Sequence, residues 1–297
     1  MTSTISTRPL SEHFGVEVLG LDLARMTRAH LYAEVRTLFE EHSALLFRGQ
    51  SITREDHIRI AELFGPIEDR SADERRPGEA FEIPQVSNVL ADGSVSAEMD
   101  LHTLNLKSNQ LWHTDSTFLP VPALANLLIA RVVTTRGGET ELASTRAAWR
   151  DMPETLKARI RNRIIWHRYS HSRARISPEL ATLPKFNKWP DRPWPAIWTN
   201  PVNGAPALYI ASHSFKVSGL SAEESAALID ELVGFCTQSE YVYSHAWQPG
   251  DVLIWDERAT LHRGMPWPYD QPRTLSSICV SVTAADGLDD MLARAAA

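Results

Sequence analysis

The sequence has few cysteines and no long apolar run. Its 297 residues include only two cysteines, Cys236 and Cys279, which lie far apart and match no metal-binding spacing. They provide no disulfide framework, and they favour a reducing compartment such as the cytoplasm. No stretch approaches the roughly 18 apolar residues of a membrane helix. Residues 1–10 also lack the apolar core of a signal peptide. We therefore expect a soluble cytoplasmic protein.

Basic residues are also relatively scarce. The chain has 30 Lys and Arg against 37 Asp and Glu, which gives a net charge of -7. This balance gives no indication of a nucleic-acid surface, so a small molecule is the expected partner. Internal repeats and low-complexity tracts are absent as well. The length and composition favour one domain over residues 1–297. The sequence leaves the oligomeric state open, and a homo-oligomer is compatible with it.

Local patterns predict helices near both ends of the chain and strands between them. Apolar spacing predicts a helix over residues 31–39, and capping boxes at Thr53/Asp56 and Ser221/Glu224 predict two more. Short apolar runs, several of them bounded by Pro or Gly, predict strands at residues 44–47, 127–133, 208–210, 252–255 and 275–282. This arrangement indicates an α+β fold built around a β-sandwich or barrel.

Two segments lack these patterns. Residues 166–206 contain seven prolines and four tryptophans. This segment is either a long surface excursion or a lid over an active site, since long loops in compact domains are often lids. Residues 69–82 are mostly charged and predict a solvated loop.

The first chemical signal is the sequence Trp-His113-Thr-Asp115. In an extended strand, residues two apart point to the same side, so both side chains can address one metal ion. With 11 histidines in the chain, about one such pair is expected by chance. Taken alone, a histidine in a polar turn explains the motif at least as well.

The second signal lies downstream, where an apolar strand at residues 252–255 leads through a short polar connection to His262. Two histidines and one carboxylate form the facial triad typical of non-haem iron(II) oxygenases. Such a triad leaves three coordination positions open, enough for a chelating keto acid and O2. A zinc hydrolase needs only one open position, for water.

Two further residues fit a keto acid. Arg273 follows His262 by eleven residues, and its planar guanidinium can bind the distant carboxylate of the keto acid through two hydrogen bonds. Thr140 ends a Gly-Gly-Glu-Thr sequence and can supply a second contact to the same carboxylate. Each has a plain alternative, since Arg273 also fits a surface arginine and residues 137–140 also fit a hairpin turn.

Together, in this order and spacing, the motifs around His113, Thr140, His262 and Arg273 resemble the taurine dioxygenase family. The dichlorophenoxyacetate dioxygenase branch is the most similar one. The resemblance covers nearly the whole chain and includes the Ala-Leu-Leu-Phe-Arg-Gly-Gln sequence at residues 44–50. It implies a double-stranded β-helix (jelly roll) core, to which the patterns above add flanking helices and the lid-like insertion at residues 166–206.

The resemblance also implies an activity and a site. Members of this family are Fe(II)- and 2-oxoglutarate-dependent dioxygenases that consume O2, oxidise a small organic substrate and release succinate and CO2, with hydroxylation as the usual outcome. The resemblance assigns iron to His113, Asp115 and His262, and it assigns 2-oxoglutarate to Arg273 and Thr140. Two further positions, Asn109 and His213, are implied to border the substrate.

One position departs from the family pattern. Taurine and aryloxyacetate members carry a second arginine, four residues after the first, which pairs with the acidic group of the substrate. Here that position is Ser277, which should face the pocket beside Arg273 because alternate strand residues share a face. We therefore expect taurine and dichlorophenoxyacetate to be poor substrates. The true substrate either lacks an acidic group at that end or meets another cation, for which the candidates are Lys107, Lys216, Arg173 and Arg175.

Two alternatives from other classes remain at this point. One is a non-catalytic jelly-roll protein that binds a ligand, and the other is a zinc-dependent hydrolase that uses the same three ligands. The first has no need of an open coordination face or of Arg273. The second is distinguished by its metal content and by independence from O2.

Overall fold

A computed structural model describes residues 5–296. Within these residues the strands are β1 (Ser6–Pro9), β2 (Val16–Leu19), β3 (Ala44–Phe47), β4 (Gln85–Ser87), β5 (Ala123–Val132), β6 (Thr140–Ser144), β7 (Ile164–His167), β8 (Arg192–Pro195), β9 (Ile197–Thr199), β10 (Pro206–Leu208), β11 (Ser214–Val217), β12 (Val242–His245), β13 (Val252–Asp256), β14 (Thr260–Gly264) and β15 (Thr274–Ser281). The α-helices are α1 (Tyr32–His42), α2 (Arg54–Phe64), α3 (Leu101–Lys107), α4 (Thr145–Asp151), α5 (Glu154–Ile160), α6 (Tyr169–Ala174), α7 (Pro178–Thr182), α8 (Ala222–Cys236) and α9 (Leu288–Ala296).

Two sheets pack face to face around the centre of the molecule. The larger has the strand order β1-β2-β3-β13-β5-β15-β4, and all its pairs are antiparallel except β2 with β3. The smaller has the order β12-β6-β14. Leu46, Leu128 and Leu253 of the large sheet share one buried cluster with Leu142 of the small sheet. The α+β fold around a β-sandwich is thus present.

The large sheet is buried on its other face as well. Successive side chains of a strand point to opposite faces, so Leu45 and Phe47 of β3 point away from the small sheet. There they join Val35 and Phe39 of α1 and Phe64 of α2 in a second cluster. This explains why β3 is apolar at every position, as expected for a strand that is covered on both sides. Each such side chain contributes about 1.5–3 kcal/mol through burial.

Both predicted capping boxes are present at helix starts. Thr53 Oγ1 accepts a hydrogen bond from the Asp56 backbone N at 3.0 Å before α2, and Ser221 Oγ accepts one from Glu224 N at 3.2 Å before α8. The predicted strands at residues 44–47 and 252–255 correspond to β3 and β13. The strand predicted at residues 208–210 lies two residues earlier, as β10, because its partner β9 begins only at Ile197, opposite Leu208.

Residues 166–206 are more regular than a surface loop. They include α6, α7, β8 and β9, and β8 pairs with β7 in a three-stranded sheet of order β11-β7-β8. Trp194 and Trp198 are buried in the main core. None of the helices formed by residues 5–296 is long and apolar enough to cross a bilayer.

Candidate metal centre and its cavity

Backbone pairing brings two distant histidines together. The backbone N of His113 donates to His262 O at 3.0 Å, and the backbone N of His262 donates to His113 O at 2.7 Å. Residues that exchange both hydrogen bonds lie directly opposite each other, with their side chains on the same face. The two imidazole centroids are accordingly 4.1 Å apart. Since β14 is fixed to β6 by its own ladder, the small sheet determines where His262 lies.

Asp115 completes the group, although the chain around it is not the extended strand that the sequence predicted. Only His113 forms a bridge, and the chain then turns, with Ser116 in the left-handed region at φ 61°. Asp115 Oδ1 lies 3.8 Å from His113 Nε2, and Oδ2 lies 3.7 Å from His262 Nε2. All three ligand atoms lie within 4.8 Å of one another. Ligand atoms about 2.1 Å from one ion are at most about 4.2 Å apart, so the measured pairs fit one metal ion.

The surroundings of the three side chains hold them as ligands. His113 Nδ1 lies 2.7 Å from Leu111 O, so Nδ1 carries the proton and Nε2 is free to bind a metal. Asn126 Nδ2 donates to Asp115 Oδ2 at 2.8 Å, and Cys279 Sγ donates to the same oxygen at 3.4 Å. These contacts fix the orientation of one imidazole and of the carboxylate before a metal binds.

Glu257 adds a second carboxylate behind the ligands. Its Oε2 accepts a hydrogen bond from the Asp115 backbone N at 2.9 Å and lies 3.7 Å from His262 Nδ1. Burial raises the pKa of Glu257 well above its usual value. A buried acid in this position orients Asp115 and His262 from behind.

The protonation states of the three side chains suit a divalent cation. Burial lowers the pKa of His262 to about 3, and the neighbouring His113 contributes to this. Burial also lowers the pKa of His113. Burial alone would raise the pKa of Asp115, but His262, His113, Arg70 and the Asn126 hydrogen bond hold it below its usual value. Two neutral imidazoles and one ionised carboxylate are therefore available at neutral pH, which is the donor set of a facial triad.

A cavity of about 860 Å³ opens onto these ligands. One wall of it is formed by alternate residues of β15 and the residue just before that strand, which are Arg273, Leu275, Ser277 and Cys279. The sequence predicted this shared face for positions 273, 275 and 277. Ser277 Oγ donates to Asn126 Oδ1 at 3.0 Å, so the side chain that replaces the second arginine is tied to the support of Asp115.

Arg273 is a buried cation at one end of this wall. It is 3% exposed, its Nη2 donates to Gly138 O at 2.8 Å, and its guanidinium lies 4.7 Å from the ring centroid of Trp267. No carboxylate among residues 5–296 forms a salt bridge with it. Burial lowers its pKa to about 10, and at neutral pH it remains a charged group without a counter-ion. Such a group is costly to bury alone, so this arrangement favours an anionic ligand.

Two neighbours define the space around Arg273. Gly138 has φ +76°, and a Cβ there would lie 2.9 Å from Arg273 Nε, so only glycine allows the guanidinium to approach. Thr140 Oγ1 accepts a hydrogen bond from Trp247 Nε1 at 3.0 Å. Because that hydroxyl already accepts one bond, its own proton is free to be donated into the cavity.

The other residues predicted to contact the substrate do not all line the cavity. Asn109 lines the cavity. His213 lies behind the metal centre, with its ring centroid 6.4 Å from that of His113. Neither Lys107 nor Lys216 is among the described residues that line the cavity. Lys107 instead donates to Glu98 Oε1 at 3.0 Å, and Lys216 lies 4.5 Å above the ring of Trp166.

The arginines considered for the lid-like segment also lie outside the cavity wall. Arg173 is 8% exposed and lies 4.4 Å above the ring of Tyr169, and Arg175 is exposed. Four arginines that the sequence analysis did not name do line the cavity, and one of them, Arg70, contacts Ser116 beside Asp115. The predicted solvated loop at residues 69–82 is therefore only partly solvated, since it also forms a cavity wall. A charged composition is expected both of a solvated loop and of a loop that lines a polar cavity, so the sequence alone did not distinguish the two.

The chain is similar to known dioxygenases over most of its length. The family model described as "Taurine catabolism dioxygenase TauD, TfdA family" matches residues 6–279. The (S)-phenoxypropionate/alpha-ketoglutarate-dioxygenase of Sphingobium herbicidovorans is 32% identical over 93% of this chain and 94% of its own length. The alpha-ketoglutarate-dependent 2,4-dichlorophenoxyacetate dioxygenase of Cupriavidus pinatubonensis is 32% identical over 92% and 96%. The crystal structure of AAD-2 in complex with Mn(II) and N-oxalylglycine is 34% identical and superimposes with a TM-score of 0.86, covering 94% of this chain and 98% of AAD-2.

Proposed function

The chain belongs to the TauD/TfdA family and is a 2-oxoglutarate-dependent dioxygenase with a jelly-roll core, and from that premise we propose that His113, Asp115 and His262 bind its Fe(II). The observation that carries this assignment is the pair of 3.7 and 3.8 Å distances from Asp115 to the two imidazoles. The neutral imidazoles and the ionised carboxylate support it. The solved relative AAD-2, which was crystallised with Mn(II), supports a divalent metal in this fold.

We further propose that Arg273 and Thr140 bind the distant carboxylate of 2-oxoglutarate. Arg273 is a buried cation without an acidic partner among the described residues, and Thr140 has a hydroxyl proton to donate. Both line the cavity that contains the three metal ligands. One dicarboxylate can then meet the guanidinium at its far end and the metal at its keto-acid end.

Each part of the site has a defined task. When bound, the iron activates O2 and, together with 2-oxoglutarate, supplies the oxidation of a substrate C–H bond with release of succinate and CO2. Arg273 and Thr140 orient the cosubstrate, and Asn126 with Glu257 keeps Asp115 in place. Trp255, which is 1% exposed and lines the cavity beside His262, restricts water near the reacting atoms.

The substrate we propose is a small organic carboxylic acid. Relatives that are 32% identical to this chain act on phenoxypropionate and dichlorophenoxyacetate, as their names state. Asn109 and Ser277 line the cavity and are polar contacts for such a molecule. Ser277 carries no charge, so the acidic group has to be bound elsewhere in the cavity. Location in the cytoplasm is part of the same proposal, and the two free cysteines support it.

The lid-like segment has one part that lies beside the site. Tyr169 of α6 stacks on Phe118 with ring centroids 3.8 Å apart, and Trp189 lies 5.5 Å from the same ring. Phe118 follows Asp115 by three residues. We propose that the stretch from Tyr169 to Trp189 covers the metal centre within the single domain, while Trp194 and Trp198 anchor the rest of the segment.

The two alternative functions make different demands on the cavity. A zinc hydrolase or a ligand-binding protein has no need of a buried, unpaired arginine beside the three ligands. Titration of 2-oxoglutarate into anaerobic, Fe(II)-loaded protein tests the proposal. We expect a metal-to-ligand absorption band to appear, and O2 then to yield succinate. Absence of the band in protein that retains iron would contradict the proposed site.

A further inference from the structure

The cavity has a second cationic side chain beside the metal centre. Arg70 lies on the loop between α2 and β4, and its Nη2 donates to Ser116 Oγ at 2.8 Å. Its guanidinium lies 5.4 Å from the ring centroid of Phe118. Its positive charge is also among the causes that lower the pKa of Asp115. Arg70 is therefore a neighbour of the metal ligands rather than a surface arginine.

Arg70 lies at the opposite end of the cavity wall from Arg273. The wall runs along β15 from Arg273 to Cys279, and the backbone N of Glu68, two residues before Arg70, donates to Cys279 O at 2.9 Å. At about 3.3 Å per residue, these two wall positions are separated by roughly 20 Å. Of the five arginines that line the cavity, Arg273 thus lies at one end of this wall and Arg70 at the other, with Ser277 between them.

The guanidinium of Arg70 is held in place by two hydrogen bonds, and one of its nitrogens has no acceptor among the described residues. Its Nε donates to Glu68 Oε1, and Nη2 donates to Ser116. The described residues offer no hydrogen-bond acceptor to Nη1. An arginine with one side fixed and one side free is suited to bind a carboxylate through two parallel hydrogen bonds.

A second arginine keeps this end of the cavity positive although Glu68 is close. Arg173 is 8% exposed, lies 4.4 Å above the ring of Tyr169 and forms no salt bridge with any of residues 5–296. Its Nη1 donates to Ser172 Oγ at 2.9 Å. Tyr169 in turn stacks on Phe118, the ring that Arg70 contacts. Arg70 and Arg173 therefore each contact one ring of the stacked Phe118–Tyr169 pair, and their two positive charges favour an anion there.

We propose that Arg70 binds the carboxylate of the primary substrate and takes the place of the arginine that other family members carry at the position of Ser277. This inference rests on the proposed function and specifies how its substrate is selected. Because Arg70 lies towards the Cys279 end of the wall, a carboxylate bound to it would lie at a different place in the cavity from one bound at position 277. Acids longer or shorter than dichlorophenoxyacetate should therefore fit better, in line with the expectation that this compound is a poor substrate.

The test compares acids with their own amides. The probes are phenoxyacetate, phenoxypropionate and phenoxybutanoate, each paired with its neutral amide. Binding is followed anaerobically, through the change that each probe causes in the absorption band of the protein loaded with Fe(II) and 2-oxoglutarate. The proteins are wild type, Arg70→Gln, Arg70→Lys and Arg76→Gln. Arg76 is the matched control because it lies on the same loop but is 88% exposed and outside the cavity wall.

We expect wild type to bind at least one acid roughly 10- to 100-fold more tightly than its amide, which is the range of a charge-assisted pair. Arg70→Gln should lose this preference while binding the amides as before, Arg70→Lys should keep part of it, and Arg76→Gln should match wild type. A purely structural role of Arg70 would weaken acids and amides alike.

Three results would overturn the inference. They are a wild type that prefers no acid over its amide, an Arg70→Gln variant that retains the preference, and equal weakening of acids and amides. Absence of the absorption band from wild type would instead contradict the proposed function, and the role of Arg70 with it. Thermal unfolding and band formation in each variant show whether its fold and its metal centre are intact.

Discussion

The two ends of the cavity each carry an arginine, and the two arginines are held in different ways. Arg273 immediately precedes a central strand, is 3% exposed and has no acidic partner among the described residues. Arg70 lies on a loop, is paired with Glu68, and its side chain is 32% exposed. The end that we assign to 2-oxoglutarate is thus built into the sheet, and the end that we assign to the substrate is built onto a loop.

This difference assigns the reaction and the choice of substrate to different parts of the structure. The residues that we assign to the metal and the cosubstrate lie on or near strands, and the ladder of β14 with β6 fixes the position of His262. A loop can change its side chains without disturbing those ladders. If Arg70 binds the substrate as we propose, its use in place of an arginine at position 277 alters which acid is bound but leaves the reaction unchanged.

Removal of a metal ligand should have the largest effect, because 2-oxoglutarate binding and substrate oxidation both depend on the metal. His262→Ala leaves two ligands and should reduce Fe(II)-dependent succinate formation to background. It should also abolish the absorption band with 2-oxoglutarate. His113→Ala and Asp115→Ala should behave in the same way. Metal content and thermal unfolding of each variant serve as controls, and full turnover by one of them with stoichiometric iron would remove that residue from the site.

Loss of the Arg273 cation should impair only the binding of 2-oxoglutarate. A hydrogen bond to a charged group contributes about 1.5–3 kcal/mol, so Arg273→Gln should weaken 2-oxoglutarate binding by roughly 10- to 100-fold. Arg273→Lys should recover part of the loss. The measurement is the anaerobic titration of the band, and an unchanged affinity would contradict the assignment. The acid-over-amide preference, measured at saturating 2-oxoglutarate, should remain that of wild type.

A smaller effect is expected when an arginine is introduced at position 277, where other family members carry one. Ser277→Arg places a guanidinium on the cavity wall beside the metal ligands, and the cavity of about 860 Å³ has room for it. We expect kcat/KM for dichlorophenoxyacetate to rise by about tenfold, whereas wild type turns over this acid and taurine poorly. Efficient wild-type turnover of dichlorophenoxyacetate that also survives Arg70→Gln would show that the missing arginine is compensated in another way.

The strand-built part of the site was predictable from the sequence. His262 follows an apolar run that predicts a buried strand, and Arg273 precedes another, but the roles of both residues came from their combination in the order typical of the taurine dioxygenase family. The capping boxes at Thr53 and Ser221 are local devices with a fixed spacing, and both are present. Local patterns of this kind require no knowledge of the tertiary fold.

The loop-built part was not predictable in the same way. The charged stretch that contains Arg70 has the composition of a solvated loop, and only its packing across the sheet brings that residue to Ser116. Asn126 shows the same limit, because its neighbour Asp115 is on another element. Lys107 was a candidate in the sequence analysis, but it lies outside the cavity wall and pairs with Glu98. Such choices depend on tertiary contacts, for which the sequence gives no periodic signal.

A structure of the protein loaded with Mn(II), 2-oxoglutarate and the phenoxyalkanoate that binds most tightly tests the central claim most directly. We predict that the distant carboxylate of 2-oxoglutarate contacts Arg273, at the sheet-built end of the cavity, together with Thr140. The carboxylate of the substrate should lie within hydrogen-bond distance of Arg70. A substrate carboxylate at Ser277 and away from Arg70, or 2-oxoglutarate bound to Arg70, would contradict the account.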